Sequence, residues 1–210
     1  MAIKITPLTK RQLVGYFNDY RLAFPDWRVE HDVVLARSHG PVEQRISFEA
    51  LRSGAYRPLC SVVVLVAPGT QVLPRFLGHQ HREVLPREHS AKLPSVLKVM
   101  EDQFQPSIRR PLDAAEVLRL AEEEVVRDKI DKTLYSVALA ALNAFVGNSD
   151  RATSWCDRVP IQLAGLGREP ADWEQEHAEY AQQLRQAIKS GQARAFLQAH
   201  LAQQYRHEAC

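Results

Sequence analysis

Apolar residues recur along this 210-residue chain with two different periods, and the change falls near residue 111. Before that point, short runs of β-branched and aromatic residues are separated by glycine and proline, a pattern typical of strands and tight turns. After it, apolar residues recur every three or four positions, which indicates amphipathic helices. The pattern predicts an α+β subdomain over residues 1–111 and a helical subdomain over residues 112–210 packed on it.

The first part predicts one helix and an antiparallel sheet of about four strands. Apolar residues fall on one face of a helix from Thr9 to about Arg21. Polar and apolar residues alternate from Val42 to Glu49, as in a half-exposed hairpin, whereas Leu59 to Ala67 is apolar throughout and fits a central strand. Strands are predicted over residues 27–31, 33–37, 42–49 and 59–67, and a further one around 71–77 is placed at a sheet edge by Pro74.

The second pattern predicts helices that flank the sheet and then form an all-helical C-terminal subdomain. Pro106 and Pro111 bracket a linker, which is the predicted boundary. The strongest amphipathic stripe runs from Leu134 to Phe145 and is stopped by Gly147. Helices are predicted over about residues 91–104, 113–128, 134–145, 148–159, 170–189 and 192–206.

Composition indicates a soluble cytoplasmic protein. Hydrophobic residues make up 45% and charged residues 25% of the chain, which is ordinary for a globular protein. The most strongly apolar run, Val62 to Ala67, is far shorter than the roughly 20 residues of a membrane span. The start of the chain lacks the pattern of a signal peptide. Three widely spaced cysteines, Cys60, Cys156 and Cys210, fit a reducing compartment better than a disulfide framework.

The two parts of the chain carry opposite charge. Residues 1–111 have 16 Lys and Arg against 10 Asp and Glu, a balance of +6, while residues 112–210 have 11 against 15, a balance of −4. The whole chain stands at +2, so its net charge gives no reason to expect nucleic-acid binding. The split instead favours contacts with a protein partner of complementary charge.

The only cluster with metal-ligand character is His79 and His81, with His89 eight residues further on. In an extended segment the first two histidines project to the same side, where imidazole nitrogens could share one Zn²⁺. This arrangement supports an alternative hypothesis, a metal-dependent hydrolase. Arginines interspersed with the histidines would repel a cation, so a polar, basic loop is the competing interpretation.

The same segment, Arg75 to Lys92, is the predicted recognition loop. It is long and basic and lies between an apolar strand and a helix, and loops on a rigid scaffold often carry binding. It suits an acidic surface or a phosphate group. The candidate partner-binding residues are Arg75, His79, His81, Arg82, Arg87 and His89.

Catalytic and cofactor motifs are not evident. The sequence has no Gly-x-Ser-x-Gly nucleophile elbow and no glycine-rich phosphate or dinucleotide loop, so no catalytic residue and no cofactor is predicted. Cys60 and Cys156 lie in apolar contexts, where cysteine usually acts as a small buried hydrophobe.

Three segments resemble parts of small bacterial proteins, several of which are encoded as immunity partners of secreted toxins. They are the run from Phe24 to Trp27, the hairpin from Gly40 to Phe48, and the turn from Gly54 to Pro58 before a buried strand. A helical tail like Leu134 to Val159 is also similar to theirs. The resemblance covers about two-thirds of the chain, implies a stoichiometric binder rather than an enzyme, and assigns no functional residues.

The sequence therefore predicts a non-enzymatic protein-binding module, most concretely an immunity or antitoxin-like protein that neutralises a toxin by direct binding. A helical adaptor or scaffold protein is the second alternative beside the hydrolase. The identity of the partner and the oligomeric state are not determined by the sequence.

Overall fold

A computed structural model describes residues 8–30, 33–76, 83–104, 106–128 and 132–208. The α+β class is confirmed: the described residues form a five-stranded antiparallel sheet and seven α-helices, with the last helices gathered at the C-terminal end of the chain. None of the helices in these ranges is long and apolar enough to cross a lipid bilayer.

The elements follow the predicted order along the chain. The strands are β1 Arg28–Glu30, β2 Val34–His39, β3 Val42–Ala50, β4 Tyr56–Val64 and β5 Thr70–Phe76. The helices are α1 Lys10–Ala23, α2 His89–Gln103, α3 Ala114–Asp128, α4 Thr133–Phe145, α5 Ser149–Ala164, α6 Asp172–Lys189 and α7 Ala193–Glu208, with a short 3-10 helix at Pro86–Glu88.

Neighbouring strands in the sheet are also neighbours in sequence, in the order β1-β2-β3-β4-β5. The interior position of β4 and the edge position of β5, which contains Pro74, agree with the predictions. Strand β3 follows the predicted alternation, with Val42, Gln44, Ile46 and Phe48 buried, except that Glu43 on the opposite face is buried as well.

The chain divides into two compact units. Unit 1 consists of the described residues within Met1–Ser38, Gln44–Ser61 and Pro74–Pro111, and unit 2 of those within His39–Glu43, Val62–Leu73 and Leu112–Cys210. The predicted subdomains were continuous stretches of chain, whereas these units share the strands. Unit 2 takes the segments around Val42 and Val64 because those side chains belong to its core.

The core of unit 1 is rich in aromatic residues. Helix α1 begins with a capping box, in which the Thr9 hydroxyl accepts from the Gln12 N–H and the Gln12 side chain accepts from the Thr9 N–H. Its Leu13, Phe17 and Tyr20 are buried. They belong to one cluster with residues of β2, β3, β4 and α2, so α1 is fixed by its apolar face.

The core of unit 2 is built around α4. Helices α3, α5, α6 and α7 all contact it. Every residue from Tyr135 to Asn143 is buried, so the prediction of a one-sided amphipathic stripe on this helix was wrong. A helix surrounded by neighbours is apolar or small on all faces. Gly147, with a φ of 88°, ends the turn after α4 as predicted.

Candidate functional site

The predicted recognition segment is only partly a loop. Strand β5 continues to Phe76, and regular structure resumes with the 3-10 helix that contains the exposed Arg87. Arg75 lies within β5. His79, His81 and Arg82 lie outside the described residues.

Among the candidates that the structure describes, His89 is the one whose position differs clearly from expectation. It is the first residue of α2 and only 3% exposed, so it is not an accessible loop residue. Its Nε2 lies 2.8 Å from a carboxylate oxygen of Asp19, and its Nδ1 lies 2.7 Å from the hydroxyl of Tyr56. The Tyr56 hydroxyl in turn lies 3.0 Å from that of Tyr20. These four residues form what we call the Asp19–Tyr20 chain, which joins α1, β4 and α2.

Proton positions along the Asp19–Tyr20 chain follow from the donors and acceptors available. An ionised carboxylate can only accept, so Nε2 of His89 carries the hydrogen that faces Asp19. In the neutral ring Nδ1 then accepts from the Tyr56 hydroxyl, and the Tyr56 oxygen accepts from Tyr20. With donation running from Tyr20 to Tyr56, then to His89 and then to Asp19, each of the four side chains has a hydrogen-bond partner.

The two hydroxyls in this chain are held as neutral donors. Both tyrosines are fully buried, and burial is the main reason that the pKa of Tyr20 is raised to about 12 and the pKa of Tyr56 is raised still further. Only Asp19 is substantially exposed, with a side-chain exposure of 49%. Because both hydroxyls are buried in the core, the hydrogen bonds between Tyr20, Tyr56 and His89 link α1, β4 and α2 in a region that water does not reach.

A metal at His89 would have to displace an existing partner, because both ring nitrogens are engaged. Within the described ranges, no three His, Cys, Asp or Glu side chains lie close enough together to hold a metal ion. The hypothesis of a site shared with His79 and His81 falls on residues outside those ranges.

The two described cysteines are buried, which confirms the prediction from their apolar contexts. Burial, aided by the charge of Asp157, raises the pKa of the Cys156 thiol to about 12. Cys156 is therefore a protonated thiol and a weak nucleophile at neutral pH.

Cys156 lies at a surface feature of unit 2 that the sequence did not reveal. Helices α5 and α6 form a groove of about 390 Å³, whose lining includes Cys156, Pro160, Ala178 and Ala181. We call it the α5–α6 groove. Arg185 and Asp157 form an ion pair between the two helices at a distance of 2.6 Å, and Glu179 and Gln182 complete the rim.

Local sequence explains why this groove exists. Ala178 and Ala181 are three residues apart on α6, and side chains this small leave room above the helix backbone. Pro160 lies inside α5 and has no N–H, so it cannot donate to the carbonyl of Cys156 one turn earlier. Beside it, Ile161 is 71% exposed.

A second groove, of about 470 Å³, lies where the α4–α5 and α6–α7 turns approach one another within unit 2. Its lining includes Phe145, which is 41% exposed, together with Arg194 and several backbone-rich turn residues. This lining is more polar than that of the α5–α6 groove, so the α5–α6 groove is the better candidate for burying apolar groups.

No protein family, curated protein or solved structure matches this chain. The resemblance to immunity proteins therefore stays a prediction, and the function is argued from the geometry of the described residues.

Proposed function

We propose that this chain is a non-enzymatic protein-binding module, most concretely an immunity or antitoxin-like protein that neutralises a toxin by direct binding, and that its partner docks on the α5–α6 groove. The observation that carries the proposal is the exposed Ile161, which directly follows Pro160 of the groove lining in sequence, together with the small side chains of Ala178 and Ala181 in that lining. Apolar anchors next to concave, largely apolar surfaces are typical of the energetically important part of protein interfaces.

The energetic reason is the apolar surface left in water. Ile161 keeps 71% of its surface exposed in the free protein. Fully burying an isoleucine side chain contributes about 1.5–3 kcal/mol, and a partner that covers Ile161 gains most of this. The groove beside it adds room for apolar groups of the partner, since a cavity of roughly 150 Å³ holds a benzene ring and this one has about 390 Å³.

The first experiment identifies the partner and then tests the surface. Tagged protein is purified from its native cells, co-purifying proteins are identified by mass spectrometry, and the purified pair is titrated by calorimetry. We expect one-to-one binding that Ile161→Ser weakens by roughly tenfold, the cost of an interface residue worth about 1.4 kcal/mol.

Val126→Ser is the matched control, because Val126 is 79% exposed on α3 of the same unit, whereas the groove is formed by α5 and α6. It should leave the affinity unchanged. Failure to recover a stoichiometric partner would overturn protein binding as the function. Equal effects of the two substitutions would remove the groove from the interface.

The basic segment before α2 gives a second test of the same function. Arg87 is exposed there, and Arg82 precedes it in sequence. We expect that Arg82→Glu with Arg87→Glu slows association with a partner that presents an acidic surface to this segment, because charge complementarity acts mainly on the association rate. Stopped-flow kinetics measures that rate, and an unchanged rate and affinity would show that this segment takes no part in binding.

A further inference from the structure

The charges around the α5–α6 groove are not balanced within the protein. Nearby basic side chains already have partners: Arg185 pairs with Asp157, and Arg168 pairs with Glu174. Glu176 and Glu179 are exposed on α6, and among the described residues neither forms an ion pair. Arg158, which is exposed on α5, lies over the ring of Trp155. Of the charged residues that line the groove itself, Glu179 alone has no ion pair within the described part of the chain.

The stability of α6 does not explain why glutamate occupies positions 176 and 179. Acidic residues stabilise a helix near its N-terminus, but the effect falls off within the first turn. Helix α6 begins at Asp172, so Glu179 lies in its third turn. Like charges three residues apart on one face, as in Glu176 and Glu179, disfavour the isolated helix.

The groove has the form that receives a helix. It lies between two helices, its lining includes the small side chains of Cys156, Ala178 and Ala181, and it is open to solvent. In the helix-in-groove mode of recognition, apolar residues spaced three or four apart enter such a groove while the flanking polar residues meet its rim. Here the rim on the α6 side presents Glu179.

We infer that the α5–α6 groove binds a basic amphipathic helix of the partner, whose apolar face covers Ile161 and the apolar lining of the groove and whose Lys or Arg residues pair with Glu176 and Glu179. This inference rests on the proposed function and adds to it the chemistry of the partner.

The test uses the full chain and two labelled synthetic helices of about 18 residues, or five turns. In both peptides leucines recur every three or four positions. The remaining positions are lysine in one peptide and glutamate in its twin. Fluorescence anisotropy at low salt should show the lysine peptide binding at least roughly tenfold tighter than the glutamate twin, with the difference shrinking as salt screens the charges.

Glu179→Lys should weaken binding of the lysine peptide by roughly fivefold to tenfold, because an attraction becomes a repulsion. Glu123→Lys is the matched control: Glu123 is an exposed glutamate in the middle of α3, where it forms an ion pair with the exposed Arg119. It makes the same change in net charge away from the groove, and should change the affinity less than twofold, roughly the scale of an exposed pair.

Three results would overturn the inference: no binding of the lysine peptide, equal binding of both peptides, or equal weakening by Glu179→Lys and Glu123→Lys. A second copy of this chain is the other possible occupant of the groove, and sedimentation of the protein alone tests it. A dimer that is dissociated by Glu179→Lys would mean that the second copy fills the groove. If any of these occurs while the cellular partner still binds and responds to Ile161→Ser, the proposed function stands and only the basic helix is excluded.

Discussion

Tyr56 is the middle link of the Asp19–Tyr20 chain, bonded to His89 on one side and Tyr20 on the other. Tyr56→Phe leaves Nδ1 of His89 buried without a donor. We expect a loss of about 1–3 kcal/mol in the free energy of unfolding, measured by urea denaturation.

Tyr16→Phe is the control for that substitution. The Tyr16 ring stacks on the Tyr56 ring with centroids 5.6 Å apart. Tyr16→Phe therefore also removes one tyrosine hydroxyl next to this ring pair. Its hydroxyl is not part of the hydrogen-bonded chain, and its loss should cost less than about 0.5 kcal/mol. Equal losses in the two variants would show that the hydrogen bonds of Tyr56 contribute nothing beyond packing.

Cys156 gives a prediction about reactivity. Because its pKa is raised to about 12, the reactive thiolate is scarce at neutral pH and becomes common only as the pH approaches that value. We expect alkylation of Cys156 in the folded protein to be far slower than in urea-unfolded protein at pH 8, as followed by peptide mass spectrometry. Comparable rates in the two states would contradict the burial of this thiol.

At the residue scale, sequence succeeds where the context is local. The burial of Cys60 and Cys156 follows from their apolar neighbours and was predicted correctly. The role of His89 was not predictable in this way, because Asp19 and Tyr56 lie 70 and 33 residues away along the chain. Grouping His89 with His79 and His81 followed proximity in sequence, whereas its described contacts are set by the tertiary fold.

The turn between α4 and α5 depends on Gly147. Its φ of 88° lies in the left-handed region, which a side chain disfavours even though open space surrounds the position. Gly147→Ala should destabilise the protein by about 1–2 kcal/mol in thermal or urea unfolding.

Gly15→Ala provides the opposite expectation. Gly15 lies inside α1 with open space around it and without a positive φ. Alanine there should stabilise the protein by about 0.5–1 kcal/mol, since it lowers the entropy lost when the helix forms. A Gly147→Ala variant that kept or gained stability would contradict the constraint set by the left-handed backbone at this turn.

At the element scale, the order and type of helices and strands followed well from periodicity and turn residues. Periodicity failed at α4, because the spacing of Leu134, Val137 and Leu142 reports one apolar face and not how many neighbours a helix has. Outside that stripe α4 carries Tyr135, Ser136, Leu139, Ala140 and Asn143, a mixture of polar, small and apolar residues that does not by itself predict burial. The α5–α6 groove was missed because alanines such as Ala178 and Ala181 are equally suited to solvent and to close packing.

The molecule as a whole should lose stability in alkali. The pKa values of Tyr20, Tyr56, Tyr180 and Cys156 are all raised, mainly by burial. The unfolded chain therefore releases these protons first, from about pH 8.5 to 10. Their contribution is complete below that range and is lost as the pH rises toward the folded values, with a slope of up to about 1.4 kcal/mol per pH unit for each group.

Urea titrations from about pH 8 to about pH 11.5 measure this loss as a falling free energy of unfolding. Replacing Tyr20 with phenylalanine should make the curve less steep, because one of the responsible groups is removed. A stability that is flat over this range would contradict the burial of the tyrosines and of Cys156.

At this largest scale the sequence predicted two parts, and the structure has two cores with a different division of the chain. The strand segments around Val42 and Val64 contribute to the core of unit 2, although they lie within the predicted first subdomain. An apolar residue in a strand predicts burial without indicating which core receives it.

The edge strand β5 bears on how this protein behaves at high concentration. Leu73 has a φ of 51° and donates its N–H to the hydroxyl of Tyr135 at 3.2 Å, and the next residue, Pro74, has no N–H at all. The N–H of Leu73 is thus already bonded within the protein and Pro74 has none to offer, and β1 at the opposite edge has only three residues. The sheet offers little template for edge-to-edge growth, so the folded protein should resist conversion into cross-β fibrils.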